Sequence, residues 1–137
     1  MSRTNRKGKP ENALPSVTVM VGEARRLNAL ASSSEVIFPR VAHFLAQEIE
    51  RATVVADNSD LRGVVRMGSL VRYCDNKTGD VRDVVLVYPH EADITLKRVS
   101  VLTPVGAALI GLSVGQAIEF QTPSHNTRSL TVLGVSN

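Results

Sequence analysis

The stretch SVLTPVGAALIGLSVG, residues 100–115, sets the tightest limit on what this chain can fold into. A β-branched run stops at Thr103 and Pro104, and a very short apolar helix begins there. Threonine caps a helix with its side-chain oxygen, and proline suits the first helical position, where its missing N–H costs nothing. Gly106, Ala107 and Ala108 let that helix lie close to a sheet, while Leu109 and Ile110 supply its apolar contact. Gly111 is placed to end it in a left-handed conformation. A second strand, AIEF, follows almost at once. A strand, one tight helix and another strand, joined this closely, imply a small sheet with a short helix on one face.

The flanking pattern fills in the sheet. From Val64 the hydrophobic period is two: VVRMGSLVRY sets Val65 and Met67 against Arg66, then Val71 and Tyr73 against Arg72, as one strand would. DNKTGD reads as a turn, with Asn76 and Gly79 suited to positive φ. VRDVVLVY carries a near-continuous apolar run that belongs inside a sheet. VSVL, AIEFQ and SLTVLGV bring the total to about five strands, with SHN as the last turn.

Upstream the period is helical. In VGEARRLNALA, Val21, Ala24, Leu27 and Ala31 form a stripe with Leu30 beside it; in PRVAHFLAQEIERA, Val41, Phe44, Leu45, Ile49 and Ala52 do the same. Arg40, Gln47, Glu48 and Arg51 are expected to face outward. SSSEVIF is a short connection, so the helices should pair as an antiparallel hairpin. Isolated helices this short are unstable, so the hairpin leans on the sheet or protrudes as a stubby finger. The fold class is α+β: a short helical hairpin over residues 16–55, then an antiparallel sheet domain with one short helix over 56–137.

Charge marks off the remainder. Residues 1–15 hold Arg3, Arg6, Lys7 and Lys9 against Glu11, which accounts for the whole formal charge of +3. Such a segment is expected to be a disordered basic tail. It reads either as a weak nucleic-acid contact or as a solvated terminus. No apolar run approaches the roughly 20 residues of a membrane helix, and no signal-peptide core opens the chain. The expected compartment is the cytoplasm, with no membrane partner, and the expected state is a monomer.

Candidate chemistry is sparse. Cys74 is the single cysteine, which rules out an internal disulfide, and it is expected to be a buried structural thiol. His43, His90 and His125 show no metal-ligand spacing, and there is no phosphate-binding glycine motif, so neither metal nor cofactor is expected.

MGSLVRYCDNKTGDVRDVVLVYPHEAD followed by RVSVLTPVGAALIGLSVGQAIEF resembles the C-terminal domain of the bacterial Gre transcript-cleavage factors. The resemblance is closer still to the Gre-like regulators of nucleoside diphosphate kinase (Rnk), whose helical hairpin is shortened. It covers roughly residues 17–135. It implies the fold of the FK506-binding proteins, and a transcription regulator that binds RNA polymerase at the rim of its secondary channel through the sheet domain. An effect on nucleoside diphosphate kinase expression and competition with Gre factors are implied in the same way.

SVLTP occupies the place of the Ser-Pro element that in Gre factors lies at the polymerase contact, which points to Ser100, Thr103 and Pro104. The alternative is that Thr103 and Pro104 merely start a helix. Gre factors cut RNA by holding magnesium with two carboxylates at the tip of a long hairpin. Here Glu35 is the only acid in SSSEVIF, so it reads as a polymerase contact near the channel entrance or as a solvated loop acid. No catalytic residue is expected. The rival reading is a prolyl isomerase or peptide-binding module. With Phe38 and Phe44 assigned to the hairpin, Tyr73, Tyr88 and Phe120 are left to build a pocket, which is too few.

Overall fold

In a computed structural model that describes residues 14–137, the two helical stripes turn toward a single core. The elements in chain order are β1 (Thr18–Met20), α1 (Val21–Ser33), α2 (Pro39–Glu50), β2 (Thr53–Val55), β3 (Leu70–Asp75), β4 (Val81–Val87), β5 (Arg98–Ser100), α3 (Pro104–Leu109), β6 (Ala117–Gln121) and β7 (Thr127–Ser136). Leu27 of α1, Leu45 of α2, Leu109 and Ile110 at α3, and Leu86, Ile118 and Leu130 of the sheet are all buried in one cluster. The hairpin therefore leans on the sheet domain and does not stand away from it. Of the expected tail over residues 1–15, residues 1–13 lie outside the described residues; at its expected end the Pro15 carbonyl accepts a hydrogen bond from Arg51.

The five-stranded sheet runs β5-β4-β3-β7-β6. It is mixed, not antiparallel throughout: β5 runs parallel to β4, Leu86 facing Val99. The connection between them, which includes single 3-10 turns at Pro89–Glu91 and Ile94–Leu96, carries the chain back to the start of the sheet edge. The expected strand from Val64 is also shorter than its pattern. Val64 makes only an isolated antiparallel bridge to Ser113, residues 67–68 turn with Gly68 at φ 88°, and the ladder begins only at Leu70. Burial still alternates through Val65, Val71 and Tyr73, so the apolar pattern was right and the backbone assignment was not. In the β3–β4 turn Gly79 takes positive φ but Asn76 does not. Asn76 instead uses its side chain to bond Ser129 and Thr131 of β7.

Two short strands, β1 and β2, pair in parallel and clamp the base of the hairpin. Thr18 N–H donates to the Gly111 carbonyl at 3.0 Å, tying β1 to the end of α3. Gly111 sits at φ 79° as expected, and a Cβ there would lie 2.3 Å from Val17 Cγ1.

Glu48 breaks the outward-facing expectation, and a second acid, Glu23, is buried as well. Glu48 is 1% exposed, gripped by Arg51 through contacts of 2.6 and 2.8 Å. Glu23 is likewise buried, accepting from the Met67 N–H at 3.3 Å and from Arg66 at 3.4 Å. A buried carboxylate persists only when paired and hydrogen-bonded. These pairs therefore tie the N-terminal segment to α2 and α1 to the sheet domain.

Candidate functional site

Thr103 and Pro104 lie on the wall of an open groove of about 860 Å³ between α2, the start of α3 and the β6–β7 end of the sheet. Its apolar lining comes from Phe38 and Phe44 on the hairpin side, Leu102 and Pro104 beside α3, and Phe120 and Pro123 on the sheet side. Arg40, His43 and Glu119 bring charge or polarity to it. Each wall has a local cause. Pro39 starts α2 and leaves Phe38 as its N-cap residue, half exposed. Phe120 is held from behind by Arg128, its partner across the β6–β7 ladder, whose guanidinium lies 5.7 Å from the ring centroid.

Arg128 is fixed in turn by Asp75, which accepts its Nη2 at 2.8 Å and also accepts the Lys77 and Thr78 N–H groups. The Arg128 guanidinium, with those N–H donors, holds the Asp75 carboxyl below the usual carboxylate range. A group held low in the fold adds stability above its ordinary titration near pH 4, and that stability disappears as pH falls through the lowered value. Asp75→Asn should therefore melt below the wild type at pH 7, with the gap closing as pH falls below the ordinary carboxylate value near 4 and through the lowered one. A gap that stays constant down to pH 2 would show that the charge is not the reason Asp75 is there.

The structure sorts the sequence-derived candidates. Thr103 and Pro104 share the groove, but the Thr103 hydroxyl is spent on capping, donating to the Ser100 carbonyl at 2.7 Å and accepting from the Gly106 N–H at 3.1 Å. Thr103 and Pro104 therefore start the helix and also line the groove. Ser100 is buried and outside the lining; its hydroxyl accepts from the Leu102 N–H and helps shape the turn into α3. Glu35 is exposed at the hairpin tip, also outside the lining. Beside it Val36 and Ile37 are the most exposed apolar side chains of the hairpin.

Of the three aromatics left over for a pocket and judged too few, only Phe120 lines the groove. Tyr73 is in the core, and the Tyr88 hydroxyl accepts from Arg26 of α1. Phe38 and Phe44, set aside as hairpin residues, supply the remaining aromatic lining. The available signal was the position of Phe44 on the core-facing stripe of a helix too short to stand alone. Cys74 is only half-buried and its thiol contacts the Asp75 carbonyl at 3.5 Å. Among the described residues there is no cluster of His, Cys, Asp or Glu able to hold a metal ion, and no helix long and apolar enough to cross a membrane.

Comparison with known proteins gives a consistent result. The family of transcription elongation factor GreA/GreB C-terminal domains matches residues 59–137. The chain is 32% identical over 119 residues to the regulator of nucleoside diphosphate kinase of Escherichia coli strain K12, covering 87% of this chain and 88% of that protein. It is 32% identical over 131 residues to the transcription elongation factor GreA of Methylobacterium nodulans, covering 89% and 82% respectively. Among solved structures, a GreA/GreB transcription elongation factor from Nitrosomonas europaea superposes with a TM-score of 0.69 at 31% identity, covering 90% of this chain and 99% of the other.

Proposed function

Because this chain belongs to the GreA/GreB family of transcription elongation factors, we propose that it is a regulator that docks on RNA polymerase through the groove containing Thr103 and Pro104 and does not itself drive transcript cleavage. The observation that carries the reading is that the Ser-Pro-like element and the hairpin build one apolar groove. A partner segment laid in it would cover Phe38, Phe44 and Phe120 together, the kind of aromatic cluster that dominates binding energy.

The hairpin argues against cleavage. Its helices are 13 and 12 residues long, which is a reach of about 20 Å at 1.5 Å per residue. Magnesium keeps most of its waters and is recruited by one or two protein carboxylates. The tip between α1 and α2 offers Glu35 alone, followed by Val36 and Ile37. One carboxylate does not make the pair that the Gre chemistry requires. A factor that occupies the rim without chemistry competes with those that cleave, and it works in the cytoplasm alongside polymerase. This is also where the likeness to the regulators of nucleoside diphosphate kinase bears: the outcome would be altered expression, not RNA cutting.

The test is a backtracked elongation complex. This protein alone should leave the transcript uncut, and rising amounts should suppress cleavage by an added Gre factor. Pro104→Arg, which puts charge into the groove, should abolish that suppression. Cleavage by the protein alone, or undiminished Gre activity at saturation, would overturn the proposal.

A second reading draws on the same three phenylalanines, which form an aromatic lining suited to a proline-containing peptide. A model-peptide isomerase assay separates the two, since a polymerase-docking groove needs no turnover.

A further inference from the structure

One polar contact joins the two walls of the groove. Arg40, in the first turn of α2, lies with Nη1 3.3 Å from Nδ1 of His125, in the turn between β6 and β7. Both residues line the groove. A guanidinium is always charged and can only donate, so His125 must accept, and only a neutral imidazole with a bare Nδ1 can do so. A proton on that nitrogen removes the acceptor and sets two cations against each other at hydrogen-bonding distance.

The backbone supports the ring's placement. His125 sits at φ 67°, a left-handed conformation that is uncommon outside glycine. The turn is closed around it: the His125 N–H donates to the Thr122 carbonyl at 2.9 Å, as does Thr122 N–H to Asn126, and Thr122, Ser124 and Asn126 bond one another through their side chains. The turn is therefore a defined loop that presents the ring toward α2.

We propose that Arg40 and His125 form a pH-sensitive strut that fixes the width of the groove and so regulates its affinity for polymerase. The regulatory consequence rests on the polymerase reading above; the strut itself does not. The contact is a strut and not a lid, because the groove stays open at about 860 Å³ with the contact made. Holding the walls at one spacing preorganises the site, so less freedom is lost when a partner binds.

Other charges facing the site do not cancel the effect. From α2 they are Arg40 and His43, and from β6 Glu119; the α3 wall contributes the neutral Leu102, Thr103 and Pro104. Imidazole groups change charge between about pH 5 and 8. The strut is therefore present while the His125 ring is neutral and lost once Nδ1 carries a proton. Glu119 lies in the same lining, so acidification does not meet an all-basic surface.

The test has two arms. In the free protein, the backbone amide resonances of residues 38–41 are followed by NMR together with the His125 ring from pH 8 to 5.5. They should move with one midpoint in the wild type and His43→Gln, and stay still in His125→Asn. Asparagine tolerates the left-handed turn and can accept from Arg40, but it cannot gain a proton. Amides on α2 that ignore the His125 titration overturn the strut. In the second arm, polymerase affinity is compared between pH 8 and pH 6. It should fall about three- to ten-fold in the wild type, the range of one hydrogen bond, and remain level in His125→Asn. Equal pH profiles for the two proteins overturn the regulatory role. Absence of polymerase binding at pH 8 refutes the docking reading and the regulation with it, while the NMR arm still decides the strut.

Discussion

Gly106→Ala should lower the melting temperature by roughly 10 °C, a loss of about 3 kcal/mol for a domain of this size. In an exposed helix the same change would stabilise by about 1 kcal/mol, because alanine is the better helix former. Here the sign reverses. A Cβ on Gly106 would lie 2.1 Å from the Ser100 carbonyl oxygen and 2.9 Å from the Val101 Cα. Both are backbone atoms, and Ser100 is already held by its β5–β4 pairing and by Thr103, so neither can swing aside as a side chain would. The helix has to lift off the strand, and Ala107, Ala108 and Leu109, all fully buried, lift with it. Thr103 and Pro104 start that helix, so the groove wall moves too, and polymerase docking should weaken in whatever fraction remains folded. Thermal or urea unfolding checks the first claim. A melting temperature within 2 °C of the wild type would mean that α3 does not lie against β5 as described.

That close approach was legible in the sequence because its causes are local. Thr103 and Pro104 announce a helix start, the small residues follow directly, and Gly111 marks the end within one short stretch. β3 and β6 were readable for a similar reason, since a period of two survives in each, and β4 showed as a near-continuous apolar run. What escaped depends on partners distant in the chain. β1 and β2 are three residues each and pair only across the whole hairpin, so no window of sequence contains both. Residues 64–69 keep the apolar alternation of a strand, yet Gly68 and the Ser69–Arg66 bonds turn the backbone away from the ladder. The groove is harder still. Phe38, Phe44 and Phe120 sit on different elements, and only the docking of α2 against α3 and β6 brings them together. Assigning two of them to the hairpin removed them from the count. Glu48 was a different kind of miss. It lies three residues after Leu45 and seven after Val41, squarely on the apolar stripe. Residue type was allowed to overrule spacing.

The position of Glu48 leads to the other large effect: Arg51→Ala should cost about 3 kcal/mol, more than Glu48→Gln alone. Removing one partner of a buried pair typically costs about 3–5 kcal/mol, because a charge is left uncompensated. The low end applies, since the Arg51 side chain is 26% exposed while that of Glu48 is 2% exposed. The arginine makes two bonds to the carboxylate and a third to the Pro15 carbonyl, so its loss also releases the segment leading into β1. Two consequences can be separated. If the stranded carboxylate dominates, adding Glu48→Gln to Arg51→Ala should recover most of the lost stability, since a neutral amide is far less costly to bury. If the Pro15 tether dominates, the double variant should be no better than Arg51→Ala. Denaturant midpoints for the single and double variants decide between them. The charge explanation predicts a strongly non-additive cycle, as expected for residues in direct contact. The lining of the proposed docking groove extends along α2 to Gln47 but includes neither Glu48 nor Arg51, so the folded fraction of each variant should still suppress Gre-dependent cleavage.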